Sequence, residues 1–125
     1  MSPLIAVSDV SRVFTSGGTT VTALDHVGFE VQAGNFVSIV GPSGCGKSTL
    51  LKIVSGLLAP SSGTVTVHGE PVRAPLENVG MVFQAPILLK WRSVIGNILL
   101  PVEFARLDIP SHTERTRALI KLVGL

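Results

Sequence analysis

The chain has 125 residues, room for one ordinary domain with one core and too little for two. Ten Lys and Arg against eight Asp and Glu leave a net charge of +2 without any run of like charge, so neither a nucleic-acid arm nor a polybasic membrane patch is present. Hydrophobic residues reach 46% and charged ones only 14%, which sets part of the apolar surface against a partner, yet every apolar stretch is interrupted well short of the roughly 18 residues of a membrane helix.

The N-terminus, MSPLIAVSDVSR, lacks the basic flank and apolar core of a secretory signal. Cys45 is the only cysteine, which excludes an intrachain disulfide and fits a reducing cytoplasm. Leu4 to Phe14 and Ala23 to Val31 contain alternating apolar positions, among them Leu24, Val27, Phe29 and Val31, the period of strands with one buried face. Thr15 to Thr20, TSGGTT, is the Gly-rich turn between them. After a second turn at Ala33-Gly34-Asn35, FVSIV (Phe36 to Val40) predicts a short buried strand.

From Ser48, Leu50, Leu51, Val54, Leu57 and Leu58 recur at helical spacing until Ala59-Pro60-Ser61-Ser62-Gly63 ends the pattern. TVTVHG (Thr64 to Gly69) alternates again as a strand. VGMVF (Val79 to Phe83) is apolar throughout, as a strand covered on both faces would be. Ser111-His112-Thr113-Glu114 after Pro110 is a capping-box pattern, followed by Ala118, Leu119, Leu122 and Val123 on one helical face. With FVSIV and VGMVF as its only two-faced strands, the chain reads as the front part of a larger α/β domain.

Gly41 to Thr49, GPSGCGKST, fits G-x-x-x-x-G-K-S at Gly41, Gly46, Lys47 and Ser48. Four fixed positions coincide by chance in roughly one chain of this length in a few hundred, and the expected strand before and helix after sharpen the match. Glycines let the backbone curl so that successive N–H groups face phosphate oxygens, and the helix N-terminus adds partial positive charge. Lys47 would neutralise β- and γ-phosphate charge, and the Ser48 hydroxyl would ligate Mg²⁺.

The string GPSGCGKSTLL, Gly41 to Leu51, resembles the Walker A motif of the nucleotide-binding subunit of ABC transporters, and the resemblance runs along essentially the whole chain. It implies a P-loop NTPase core of the ABC ATPase type with an N-terminal antiparallel β portion, incomplete at the C-terminus. It implies ATP and Mg²⁺ as ligands, with the nucleotide held by Gly41, Pro42, Ser43, Gly44, Cys45, Gly46, Lys47, Ser48 and Thr49. Phe14 falls where the family places an aromatic ring that stacks on adenine. VGMVFQ resembles the strand leading into the Q-loop, so Gln84 would reach the Mg²⁺ and attacking-water region, with Ser48 and Gln84 at the metal and Lys47 and Gln84 in catalysis. APILLKWRSVIGNILLPVE (Ala85 to Glu103) resembles importers of the nitrate, sulfonate and taurine group, although Lys90 replaces the Pro of their LLPW. That surface would receive a helix of the membrane permease.

The family's signature motif, its Asp-Glu strand and its switch His find no match in residues 1–125. Thr15-Ser16-Gly17-Gly18 resembles the signature only superficially, since it precedes the P-loop and no helical pattern follows it. None of the eight acids forms an Asp-Glu pair closing an apolar strand, and His26, His68 and His112 lie in strand, strand-end and helix-start contexts. The expectation is thus a partial ABC nucleotide-binding domain over residues 1–125, cytoplasmic and peripheral on the inner face of the membrane. Its partners would be a transmembrane permease, a second ATPase subunit and, indirectly, a solute-binding protein, with no nucleic acid. The alternative is a truncated nucleotide- or permease-binding module without turnover. A non-transport ABC ATPase acting on DNA or ribosomes is disfavoured by the near-neutral charge and the LLKW segment.

Overall fold

A Gly-Gly pair between two long alternating runs is the strongest hairpin signal in the chain, and the hairpin forms there. In the computed structural model, which describes residues 2–125, β1 (Ile5–Ser16) and β2 (Thr19–Val31) pair antiparallel about Gly17 and Gly18. Both turn residues hold positive φ, 55° and 82°, as a two-residue turn matching strand twist requires. β3 (Ser62–Val67) pairs with the other side of β1, and the two-residue β4 (Glu70–Pro71) follows β3, giving the sheet order β2-β1-β3-β4.

The alternation on β1 and β2 is interrupted three times, and the first two interruptions place the core. Val7 and Val10 are both buried although three residues apart, because an extra residue at Ser8-Asp9 opposite Gly28 resets the phase of β1. On β2 the extra residue at Asp25-His26 opposite Ser11 does the same between Leu24 and Val27. Asp9 and His26 carry φ of 53° and 48°, and the His26 Nδ1 to Asp9 Oδ1 contact of 2.6 Å ties the bulges together. Gly63 on β3 accommodates the first: with φ 81°, a Cβ there would overlap the Asp9 carbonyl.

α1 (Lys47–Val54) lays Leu50 and Ile53 on the sheet face formed by Val7, Val10, Leu24 and Val65. Ile5, Val27, Phe29, Val54, Leu58 and Val72 pack around this core.

FVSIV and VGMVF depart from expectation. Neither forms a strand: Phe36 is 97% and Val82 98% exposed, and Val40, Val37 and Val79 are also largely in solvent. An apolar run states that a segment suits a buried environment, whereas a parallel strand exists only beside a partner brought by a crossover. Among the described residues no strand pairs with either segment.

The chain divides into two units, the first ending at Met81 and the second covering Val82–Leu125. The second is helical, with α2 (Val94–Ile98), α3 (Leu100–Phe104) and α4 (Ile109–Leu122) in mutual contact and Leu99 and Thr116 buried. The cap of α4 is Asp108, whose carboxylate accepts from the Ser111 amide at 3.0 Å, rather than Ser111 itself. Pro110 sits in the first turn, where its missing N–H has no helical partner to lose, so the helix begins three residues before the expected start. Its inward stripe is His112, Thr113, Thr116 and Ile120, while Leu119, Leu122 and Val123 face solvent.

Candidate functional site

Residues Gly41 to Gly46 form a loop closed by a Cys45 N–H to Pro42 O hydrogen bond, and α1 begins at Lys47. Gly46 is the residue that makes this geometry possible. It is the helix N-cap in the left-handed conformation, φ 97°, and a Cβ on it would overlap the carbonyl oxygen of Ala23 on β2. Ala23 is the unpaired residue between Arg12↔Leu24 and Val13↔Thr22, so a local irregularity of the hairpin turns its carbonyl toward the loop.

No side chain caps the α1 N-terminus and its first turn holds no acidic residue. The orphan amides of that turn therefore remain available to an anion, with the helix dipole behind them. The first helical bond runs from Leu50 N to Gly46 O at 2.9 Å, and buried Leu50 and Ile53 fix the helix below it. Lys47 curls over the loop: its Nζ donates to Gly41 O at 2.7 Å and Pro42 O at 2.5 Å, and lies 3.4 Å from Cys45 Sγ. The ammonium thus stands at the mouth of the glycine loop. Ser48 is exposed and Thr49 half-buried in the first turn, and Ser43, Gly44 and Cys45 are exposed on the loop.

This donor set fits a polyphosphate. A left-handed glycine at the helix start, uncapped amides without a competing carboxylate, a lysine and a hydroxyl at the next residue together offer donors to negative oxygen from several sides.

Phe14 lies on β1 opposite Val21, two residues along the strand from Arg12, whose partner is Leu24. Two residues of strand span about 7 Å. This end of β1 is tied to the chain leaving α1: Ser61 N donates to Ser11 O at 2.8 Å and Val13 N to Ser61 Oγ at 3.0 Å. The Phe14 ring is 39% exposed, and the Arg12 guanidinium lies 4.6 Å from its centroid. Phe14 and the Gly41–Thr49 loop both belong to the first unit. Gln84 stands exposed at a bend in the second unit.

Within the second unit, structure reveals a framework that the periodicity did not suggest. Asn97 Oδ1 accepts from Leu89 N at 2.7 Å, and Nδ2 faces the carbonyls of Leu89, Arg92 and Ser93 at 3.1, 3.2 and 3.0 Å. Arg92 grips Glu103 with both ends of its fork, at 3.0 and 2.7 Å. The Arg92 hydrogen bonds hold the Glu103 carboxyl below the ordinary glutamate range. Ile87, Leu88 and Trp91, the last 81% exposed, are apolar residues of this unit left in solvent. The available signals were short: Ser93 capping Gly96 for α2, and Arg12-x-Phe14, whose side chains share a face once β1 is recognised as a strand.

The chain is 45% identical to a methionine import ATP-binding protein of Rhizobium meliloti over 126 residues and 44% identical to a taurine import ATP-binding protein of Rhizobium johnstonii over 108 residues. These matches take in 93% and 86% of the chain but only 35% and 41% of the relatives. Among solved structures, an ATP-binding cassette in a dimeric post-hydrolysis state bound to ADP and Pi superimposes with a TM-score of 0.84 at 27% identity, covering 97% of this chain and 57% of that one. The α/β cassette fold expected from the P-loop is thereby established, with the antiparallel sheet as its N-terminal portion. Residues 24–125 match the family model of the ABC transporter, and the chain belongs to that family.

Proposed function

We propose that the chain is the nucleotide-gripping portion of the ATP-binding subunit of an ABC importer, serving uptake of a solute of the nitrate, sulfonate or taurine kind. The observation that carries the reading is the loop at Gly41–Lys47: a left-handed Gly46, an uncapped and acid-free helix start, and an ammonium held over the loop carbonyls. In this role the amides from Gly44 to Thr49 and Lys47 Nζ hold the phosphates, and the Ser48 hydroxyl would hold Mg²⁺, which would supply neutralisation of phosphate charge. Lys47 must exchange the Gly41 and Pro42 carbonyls for phosphate oxygens. Phe14 provides the face for adenine.

The whole subunit would pair with a second copy and sit against a permease, at the inner face of the membrane. The exposed apolar residues Ile87, Leu88 and Trp91 support the permease contact, since a membrane-protein helix docks by packing its apolar anchors against such residues. The near-equal identities to a methionine and a taurine importer support the importer role more strongly than the solute. Residues 1–125 then form a partial domain, because the signature, Asp-Glu strand and switch His are not among them.

The test is titration of the chain with a fluorescent ATP analogue in Mg²⁺. Lys47→Ala removes two or more charge-assisted hydrogen bonds and should weaken binding about 10- to 100-fold with the melting temperature preserved. Unchanged affinity in that variant would end the proposal. The chain alone should release no phosphate at a cassette-like rate, since positioning and electrostatics supply nearly all the catalysis and the partner motifs are missing. Steady release abolished by Lys47→Ala would contradict this.

A further inference from the structure

We infer that Arg12 is a positioning residue for the nucleobase, holding the Phe14 ring from one face so that the opposite face is set to receive a purine. The inference rests on the reading of Phe14 as the base platform and adds a residue to it.

The Arg12 guanidinium lies 4.6 Å from the Phe14 centroid, well within the range of cation–π attraction. Its Nη1 donates to the carbonyl of Ala59 at 3.1 Å, so the group is moored to the chain that leaves α1. Arg12 Nε, by contrast, is buried with no hydrogen-bond partner. A buried donor without an acceptor is disfavoured and rare. Here the guanidinium carbon lies over an aromatic ring, a contact that makes desolvating an arginine more tolerable.

Three consequences follow for a ligand. One face of Phe14 is covered, so a base has a single face on which to stack. The ring cannot rotate freely, which lowers the entropy lost when a base arrives. The cation withdraws electron density from the ring, which favours an offset stack with an electron-rich purine. Phe14 and Arg12 are also linked to the phosphate loop through the same strand ladder, since Leu24, the partner of Arg12, follows the Ala23 that abuts Gly46. The base platform and phosphate grip are thus set in register by β1 and β2.

The experiment compares affinities for ATP and inorganic tripolyphosphate, which shares the phosphate chain and lacks the base. It uses the chain itself and its variants Phe14→Ala, Arg12→Gln, Arg12→Lys and Phe14→Ala/Arg12→Gln, with melting temperatures recorded for each. Arg12→Gln should weaken ATP about two- to fivefold and leave tripolyphosphate unchanged, and the effect should vanish in the Phe14→Ala background. Arg12→Lys, which keeps a cation over the ring and serves if Arg12→Gln fails to fold, should lose less than Arg12→Gln and again for ATP only. Equal weakening of both ligands, or an Arg12→Gln effect that persists without Phe14, would overturn the inference while a selective Phe14→Ala loss leaves the platform standing. If Phe14→Ala leaves the ratio of the two affinities unchanged, the platform reading itself fails.

Discussion

Replacing Gly46 by Ala probes the geometry on which the phosphate loop depends. Gly46 holds φ 97°, and an L residue in the left-handed region is destabilised by about 1–2 kcal/mol. A Cβ there would also overlap the Ala23 carbonyl and stand 2.9 Å from Leu24 Cδ2. The Leu24 methyl belongs to the buried core, and the Ala23 carbonyl cannot retreat without dragging the β1–β2 ladder, so the overlap adds about 1–3 kcal/mol. Together the variant should lose about 2–5 kcal/mol, which lowers Tm by roughly 8 °C or more for a unit of this size. Gly18→Ala is the reference. It sits at φ 82° in the hairpin turn with nothing within 4 Å of a Cβ, so it carries the strain without the overlap. Urea denaturation of the two variants, with ATP-analogue binding measured alongside, should show Gly46→Ala losing at least about 1 kcal/mol more stability than Gly18→Ala, and losing affinity that Gly18→Ala keeps. Equal stability losses would refute the reasoning, because the two sites share the conformation and differ in what a Cβ meets.

The His26 pKa is raised, first by its hydrogen bond with Asp9 and then by the charges of Asp9 and Asp25. A raised value contributes stability that is complete below the ordinary histidine value of 6.5 and fades as pH rises through the folded value, so the Tm advantage of the native chain over His26→Asn should shrink as pH climbs above 6.5. Glu103 has the opposite sign: its depressed pKa gives stability present above about pH 4.3 and lost as pH falls through the folded value, so Glu103→Gln should flatten the acid limb of a melting profile. Asn97→Ala strips the Leu89 amide of its acceptor and frees three carbonyls, and should cost the helical unit about 1–3 kcal/mol, read as faster hydrogen exchange at Leu89.

What was legible in the sequence was what local chemistry decides. Gly17-Gly18 fixes a turn whose flanking partners, Ser16 and Thr19, are separated by only two residues, and Gly46-Lys47-Ser48 fixes a loop whose donors are consecutive. The bulges at Asp9 and His26 escaped because they appear only as a slipped phase, Val7 to Val10 and Leu24 to Val27, within runs otherwise alternating. At α4 the capping box at Ser111 was misleading, since Pro110 is tolerated in the first turn and Asp108 is the polar residue placed to cap it. FVSIV and VGMVF misled because composition describes the surroundings a segment suits, whereas pairing is a property of two segments at once.

The same distinction governs the phosphate loop. Its second half, Gly46 to Thr49, rides on a helix whose Leu50 and Ile53 are sunk into a sheet that completes itself by antiparallel pairing. Its first half, Gly41 to Gly44, follows the segment 36–40, which has no ladder to hold it. What joins the halves is Lys47, rooted on the helix and bonded to the Gly41 and Pro42 carbonyls, and the Cys45 to Pro42 turn. Because phosphate would compete for that same ammonium, the side chain proposed to bind the ligand is also the one that ties the loop, and pairing of the 36–40 segment would relieve it of the second task. Nucleotide affinity should therefore depend on sheet pairing some residues away from any atom that touches the nucleotide.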